Sequence, residues 1–181
     1  MDYNINRQRL KEMIRIERAY GYRMLGGLTS DELTWQPEGT RARTIQSYLR
    51  HIINAEIHWL RKHGDTTYDF FANDTPFDKL MDNYHRLGEH LIQILDEASD
   101  DEMLPRAPIS SEEKKQQGGT LAWIVWRTSL HALHHYAQIA HIRYSIEKPP
   151  SDERVVNPFL NRKVTWGEAV DVIFLSDGSK K

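Results

Sequence analysis

Apolar residues recur every three to four positions in four long runs of this chain, the spacing that gathers them on one face of an α-helix. The first run extends from about Ile5 to Leu28 and carries Leu10, Met13, Ile14, Tyr20, Met24 and Leu28. Gly26 and Gly27 weaken its end, and the stretch LTSDELTWQPEGT that follows is rich in turn formers and reads as a link. The second run opens after Thr44, a helix-cap residue, and places Ile45, Tyr48, Leu49, Ile52, Ile53, Trp59 and Leu60 on one stripe before Gly64 stops it. The third begins with Thr75 as the cap and Pro76 at the first helical position, and its stripe runs from Phe77 through Leu80, Tyr84, Leu87, Leu91 and Leu95 to Ala98. A loop with Pro105, Pro108, Gly118 and Gly119 precedes the fourth run, which extends from Thr120 to about Ile146 and is closed by Pro149 and Pro150.

Beyond the second proline, Thr165 and Glu168 form a capping-box pattern that predicts a short helix through about Phe174. No strand pattern is strong and no repeat of solenoid length occurs. The expectation is an all-α four-helix bundle with a short extra C-terminal helix, in one domain over 1–181 with its core at about 5–146 and an extension at 147–181. The connections are long enough that simple up-and-down topology does not follow.

Composition narrows the function. A hydrophobic share of 39% and a charged share of 28% suit a globular domain rather than a disordered one. The net charge is −2, and 24 basic residues are balanced by 26 acidic ones without a basic run, so no nucleic-acid footprint is present. Cysteine is absent, which excludes disulfides, thiolate nucleophiles and cysteine-based zinc fingers. The N-terminal MDYNINRQRLKEM lacks the apolar core of a signal peptide, and no run of about 18 apolar residues could cross a membrane. The simplest expectation is a cytoplasmic protein with no membrane partner.

Nine histidines are the chemical peculiarity of the chain. His131 and His135 lie one helical turn apart on the core stripe of the fourth run, where Leu or Ile is expected, and Gln138 lies on the same side. Two imidazoles at i, i+4 can converge on one ion, with metal on one ring nitrogen and a hydrogen bond on the other. Two core histidines with ordinary hydrogen bonds would give the same spacing. A third ligand could come from the second run, where His51 and His58 both flank the apolar stripe and periodicity does not choose between them. Glu56 sits inside that stripe, so its carboxylate must be paired or bound. It could orient a ligand histidine or form a salt bridge to an arginine such as Arg23 or Arg127. His134 and His141 lie beside a second apolar face of the fourth run, made by Trp123, Trp126, Leu130, Leu133 and Ala137, from which a homodimer contact is expected. His85 and Glu89 give an HxxxE pattern that suggests a di-iron bundle, but both lie off the core stripe and the full ligand series of such sites is missing.

The stretch LTSDELTWQPEGTRARTIQSYLRHIINAEIHWL resembles the first loop and second helix of the DinB/YfiT-like superfamily, including its His and the Glu five residues later, here His51 and Glu56. HALHHYAQIAHIRY resembles that family's fourth helix with its HxxHHxxQ arrangement, and the order of helices agrees from about residue 5 to 146. The resemblance implies a metal site made of one histidine on the second helix and the HxxxH pair on the fourth, which are His51, His131 and His135, and it favours His51 over His58.

Three neutral imidazoles suit Zn, Ni or Fe and leave coordination positions open for water or substrate. The resemblance implies two kinds of chemistry on a small-molecule substrate. One is hydrolysis, for which the metal lowers the pKa of bound water. The other, placed ahead of it, is transfer of a low-molecular-weight thiol, which must come from outside because the chain has no cysteine. No catalytic acid or base is identified. The alternative is a non-catalytic, stress-related metal-binding or scaffold bundle.

Overall fold

The computed structural model describes residues 7–39, 43–103 and 120–150. These form α1 (Arg7–Leu25), α2 (Ser30–Thr34), α3 (Ile45–His63), α4 (Phe77–Glu97), α5 (Asp100–Met103) and α6 (Leu121–Ser145), with no strand among the described residues. The helix expected at 165–174 lies outside them.

Local chemistry accounts for most boundaries. Thr44 Oγ1 accepts from Ser47 N at the start of α3, and Gly64, at φ 108°, closes the helix in the left-handed region with its N–H on Arg61 O. Thr120 caps α6 through Trp123 N. The third helix starts later than its sequence suggests: Pro76 is extended (φ −59°, ψ 149°) and is itself the cap residue, without a side-chain cap bond. Thr75 is buried instead, and its carbonyl accepts from Gln46 Nε2 at 2.8 Å. The stretch expected to be a plain link contains α2, opened by a full capping box between Thr29 and Glu32.

The four long helices bury their stripes in one core, in which Leu10, Ile14, Leu49, Ile52, Ile53, Leu80, Leu87, Ile124 and Ile139 are almost wholly inaccessible. α1 packs against α6 and α4, and α3 packs against the same two helices. Cross-helix pairs fix the directions. Lys11 with Asp96 and Glu17 with Tyr84 make α1 and α4 antiparallel. Glu17 with Tyr136 and Met24 with Arg143 make α1 and α6 parallel. His51 with His131 and Trp59 with Trp123 make α3 and α6 antiparallel. The chain is therefore an up–down–down–up bundle.

That topology requires a return path between the parallel helices α3 and α4. Residues 64–76 supply it by running back along α3, where side chains of α3 hold their backbone. Arg61 donates to Tyr68 O, Asn54 exchanges two bonds with the Phe71 backbone, and Arg50 donates to Asn73 O. With Gln46 on Thr75, these four side chains satisfy an extended segment that has no sheet partner.

The second apolar face of α6 is divided. Leu133 is buried in the core, Trp126 and Leu130 are half-buried against it, and Trp123 (43% exposed) and Ala137 face outward.

Candidate metal centre

α6 carries His131 and His135 on successive turns, and the antiparallel seam with α3 sets His51 level with them. The Nε2 atoms of His131 and His51 are 3.2 Å apart and those of His135 and His131 are 3.0 Å apart. One ring nitrogen from each of the three residues lies within 4.8 Å of the others. The edge of a tetrahedron with Zn–N bonds of about 2.0–2.1 Å is roughly 3.3–3.4 Å, so two of the three nitrogen pairs are already near the spacing of ligands around one ion. Among the described residues, no Asp or Glu belongs to this cluster.

The environment favours neutral rings. His135 Nδ1 donates to Gln138 Oε1 at 2.6 Å, which places the proton on the outer nitrogen and leaves the Nε2 lone pair facing the other two rings. Burial lowers the pKa of all three imidazoles. For His131 burial, the neighbouring His135 and His51, and Arg127 together bring it down to about 4. Burial and the arginines Arg43 and Arg50, with His135, lower His51, and for His135 burial outweighs the opposing bond to Gln138. Three neutral imidazoles that turn a ring nitrogen toward one point are a suitable arrangement for a cation. The donor set fits a divalent ion that accepts imidazole nitrogen.

The ring of Tyr48 packs on His135 with centroids 5.3 Å apart, one turn before His51. His135 is buried, whereas His51 and His131 are half-exposed, so the cluster is closed on the core side and open along one flank.

The other histidines stay out of the cluster. His58 is exposed beside the Trp59 ring, and His134 and His141 are exposed on α6. His90 pairs with Asp65 at 2.5 Å, at the start of the return segment. His85 and Glu89 on α4 do not join a metal-binding group among the described residues.

Glu56 pairs with neither Arg23 nor Arg127. Arg18 of α1, wholly buried, donates to it at 2.6 Å and lies 3.3 Å from Glu17. Glu17 in turn accepts from Tyr84 and Tyr136, whose hydroxyls also bond to each other, and Arg18 stacks over the Tyr84 ring at 4.0 Å. Burial opposes the charge on Arg18, but Glu17 and Glu56 more than offset it and push its pKa up. Burial raises Glu56 to about 7 against the pull of Arg18, since two carboxylates share one guanidinium. This five-residue cluster ties α1, α3, α4 and α6 together. The sequence reading missed Glu17 and Arg18, although they interrupt a stripe that Leu10, Ile14, Gly21 and Leu25 continue.

Residues 14–139 match the family model of the DinB superfamily. No curated protein and no solved structure gives a significant match.

Proposed function

Since the chain belongs to the DinB superfamily, we propose that His51, His131 and His135 bind one divalent metal ion, Zn, Ni or Fe, and that the protein is a metal-dependent enzyme acting on a small molecule. The observation that carries this reading is the convergence of three imidazole nitrogens at a partly exposed flank of the bundle. When bound, such an ion supplies Lewis-acid activation of an oxygen or sulfur ligand at its free positions.

The chain's own residues supply the frame. Gln138 holds His135 in the tautomer that turns its lone pair inward, Tyr48 packs on the face of that ring, and the packed helices set the three donors level with one another. The open flank of His51 and His131 favours an enzyme over a sealed structural site. Thiol transfer stands ahead of hydrolysis, with the thiol supplied as a co-substrate; among the described residues the cluster holds no carboxylate that would act as a base for water.

The test is elemental analysis of protein purified without an affinity tag, as wild type and His51→Ala. One equivalent of metal in the wild type, lost in the variant, is expected. Absence of metal after reconstitution with Zn, Ni and Fe would refute the site. The metal-loaded protein is then assayed with a panel of thiols and electrophiles, and turnover no greater than that of His131→Ala would refute the transferase reading.

A further inference from the structure

Two of the three imidazoles come from α6 and the third from α3, so their meeting depends on how those helices stand against each other. The helix itself fixes the spacing of His131 and His135, but nothing within α3 fixes the height of His51 against them. A slip of one residue along either axis is about 1.5 Å, whereas a metal–nitrogen bond of about 2.0–2.1 Å tolerates only about 0.2 Å. The buried polar cluster lies where it can set that height. Glu17 and Arg18 are neighbours on α1. Arg18 donates to Glu56 Oε2 at 2.6 Å, and Glu56 stands five residues, about 7.5 Å, along α3 from His51. Glu17 Oε1 accepts from the hydroxyl of Tyr136, the residue that follows His135 on α6. From α4, Tyr84 donates to the same carboxylate oxygen at 3.0 Å, and its ring lies under Arg18. All five side chains are buried, and Arg18 Nε has no hydrogen-bond partner among the described residues. Buried charges of this kind are often replaced by apolar side chains without loss of stability. Directed bonds of fixed length do what apolar contacts do not: they admit a single register.

We propose that Glu17 and Arg18 are positioning residues for the metal centre. They are two arms of one brace that holds Glu56 of α3 and Tyr136 of α6 at the heights where His51 meets His131 and His135. This rests on the metal-binding reading above and adds to it the residues that decide whether three imidazoles or two reach the ion. The arms start from adjacent positions on one helix, so a change in either moves α3 against α6. The His131–His135 pair, carried by α6 alone, keeps its own spacing whatever the brace does. Loosening the brace therefore removes His51 from the ion and leaves the other two ligands in place.

The test uses the full-length protein and zinc alone. Competition with a chromophoric chelator gives the affinity, and X-ray absorption of the zinc-loaded protein gives the number of imidazoles on the ion. Thermal unfolding of the metal-free protein gives the stability of each variant. Glu56→Asp keeps the charge but withdraws the carboxylate by one methylene, so the Arg18 arm no longer reaches it in the native register. Glu56→Gln keeps the length and drops the charge. Tyr136→Phe opens the other arm. Leu91→Ala, in the core seven residues beyond Tyr84 on α4, lowers stability away from the brace. Zinc affinity is expected to fall about tenfold or more in Glu56→Asp and in Tyr136→Phe, with the imidazole count dropping from three to two. Glu56→Gln and Leu91→Ala are expected to keep three imidazoles and the affinity of the wild type. Three imidazoles and undiminished affinity in Glu56→Asp or in Tyr136→Phe would overturn the brace and leave the metal site standing. An equal loss of affinity in Leu91→Ala would do the same, by reducing the effect to stability. A wild type that takes up no zinc would remove the metal site itself, and this inference with it.

Discussion

Gly21 offers a direct test of how tightly the buried polar cluster is built. A helix interior normally gains about 1 kcal/mol when Gly is replaced by Ala, so the default expectation for Gly21→Ala is a more stable protein. The structure reverses the sign. A Cβ at this position would lie 2.5 Å from Tyr136 Oη and closer still to Tyr84 Oη. Neither hydroxyl can swing away freely, because both rings are wholly buried and both hydroxyls bond to Glu17. Relieving the clash costs about 1–3 kcal/mol of overpacking, and losing one hydrogen bond to a charged carboxylate costs a further 1.5–3 kcal/mol or so. After the helix gain is subtracted, a net loss of about 1.5–5 kcal/mol is expected. For a domain of this size that is a fall in Tm of roughly 3–20 °C. Urea and thermal unfolding followed by circular dichroism measure it. The alanine should cost less in a Tyr84→Phe background, where the nearest atom is gone, and a coupling of at least about 0.5 kcal/mol is expected from the double-mutant cycle. A Gly21→Ala variant as stable as the wild type would refute the packing argument.

Gln138→Ala removes the acceptor that sets the His135 tautomer and should weaken metal binding about 10–100-fold with the fold intact, as read by competition with a chromophoric chelator; unchanged affinity would show that the tautomer is set elsewhere. In metal-free protein, proton NMR should find the His131 ring titrating near pH 4, and a midpoint above 6 would contradict its enclosure. Glu56 has the opposite sign: its folded pKa of about 7 lies above the ordinary 4.5, so its contribution to stability is complete below pH 4.5 and is lost as pH rises through 7. Stability measured between pH 5 and 8 should fall more steeply for the wild type than for Glu56→Gln, with equal slopes counting against the shift. Sedimentation equilibrium at micromolar concentration is expected to return a homodimer joined near Trp123, and a mass of 21.3 kDa would rule that contact out.

Where the chain carries its own punctuation, reading it was straightforward. α3 starts and stops where Thr44 and Gly64 indicate, and the spacing of His131 and His135 on a core stripe pointed to the centre before any geometry was known. α2 and α5 were overlooked although Thr29 with Glu32 and Ser99 with Glu102 carry the same three-residue spacing that was used to predict a helix at 165. Their apolar content is too small for periodicity to register. The choice between His51 and His58 was open for a different reason. Both occupy nearly the same side of α3, and only the height of α6 against α3, a tertiary quantity, decides which one meets the pair. The partner of Glu56 was equally hidden: Arg18 lies 38 positions away on another helix, and helical periodicity says nothing about which charges meet across a core.

The return segment along α3 has a consequence for how this architecture can vary. Twelve or so residues in extended form cover about 40 Å at most, and a nineteen-residue helix is about 28 Å long, so the tether has only a modest surplus once it rounds both ends. Adding a turn to α3 without adding residues to the tether would pull Phe71 and Asn73 out of register with Asn54 and Arg50. Length changes in the two pieces must therefore arise together.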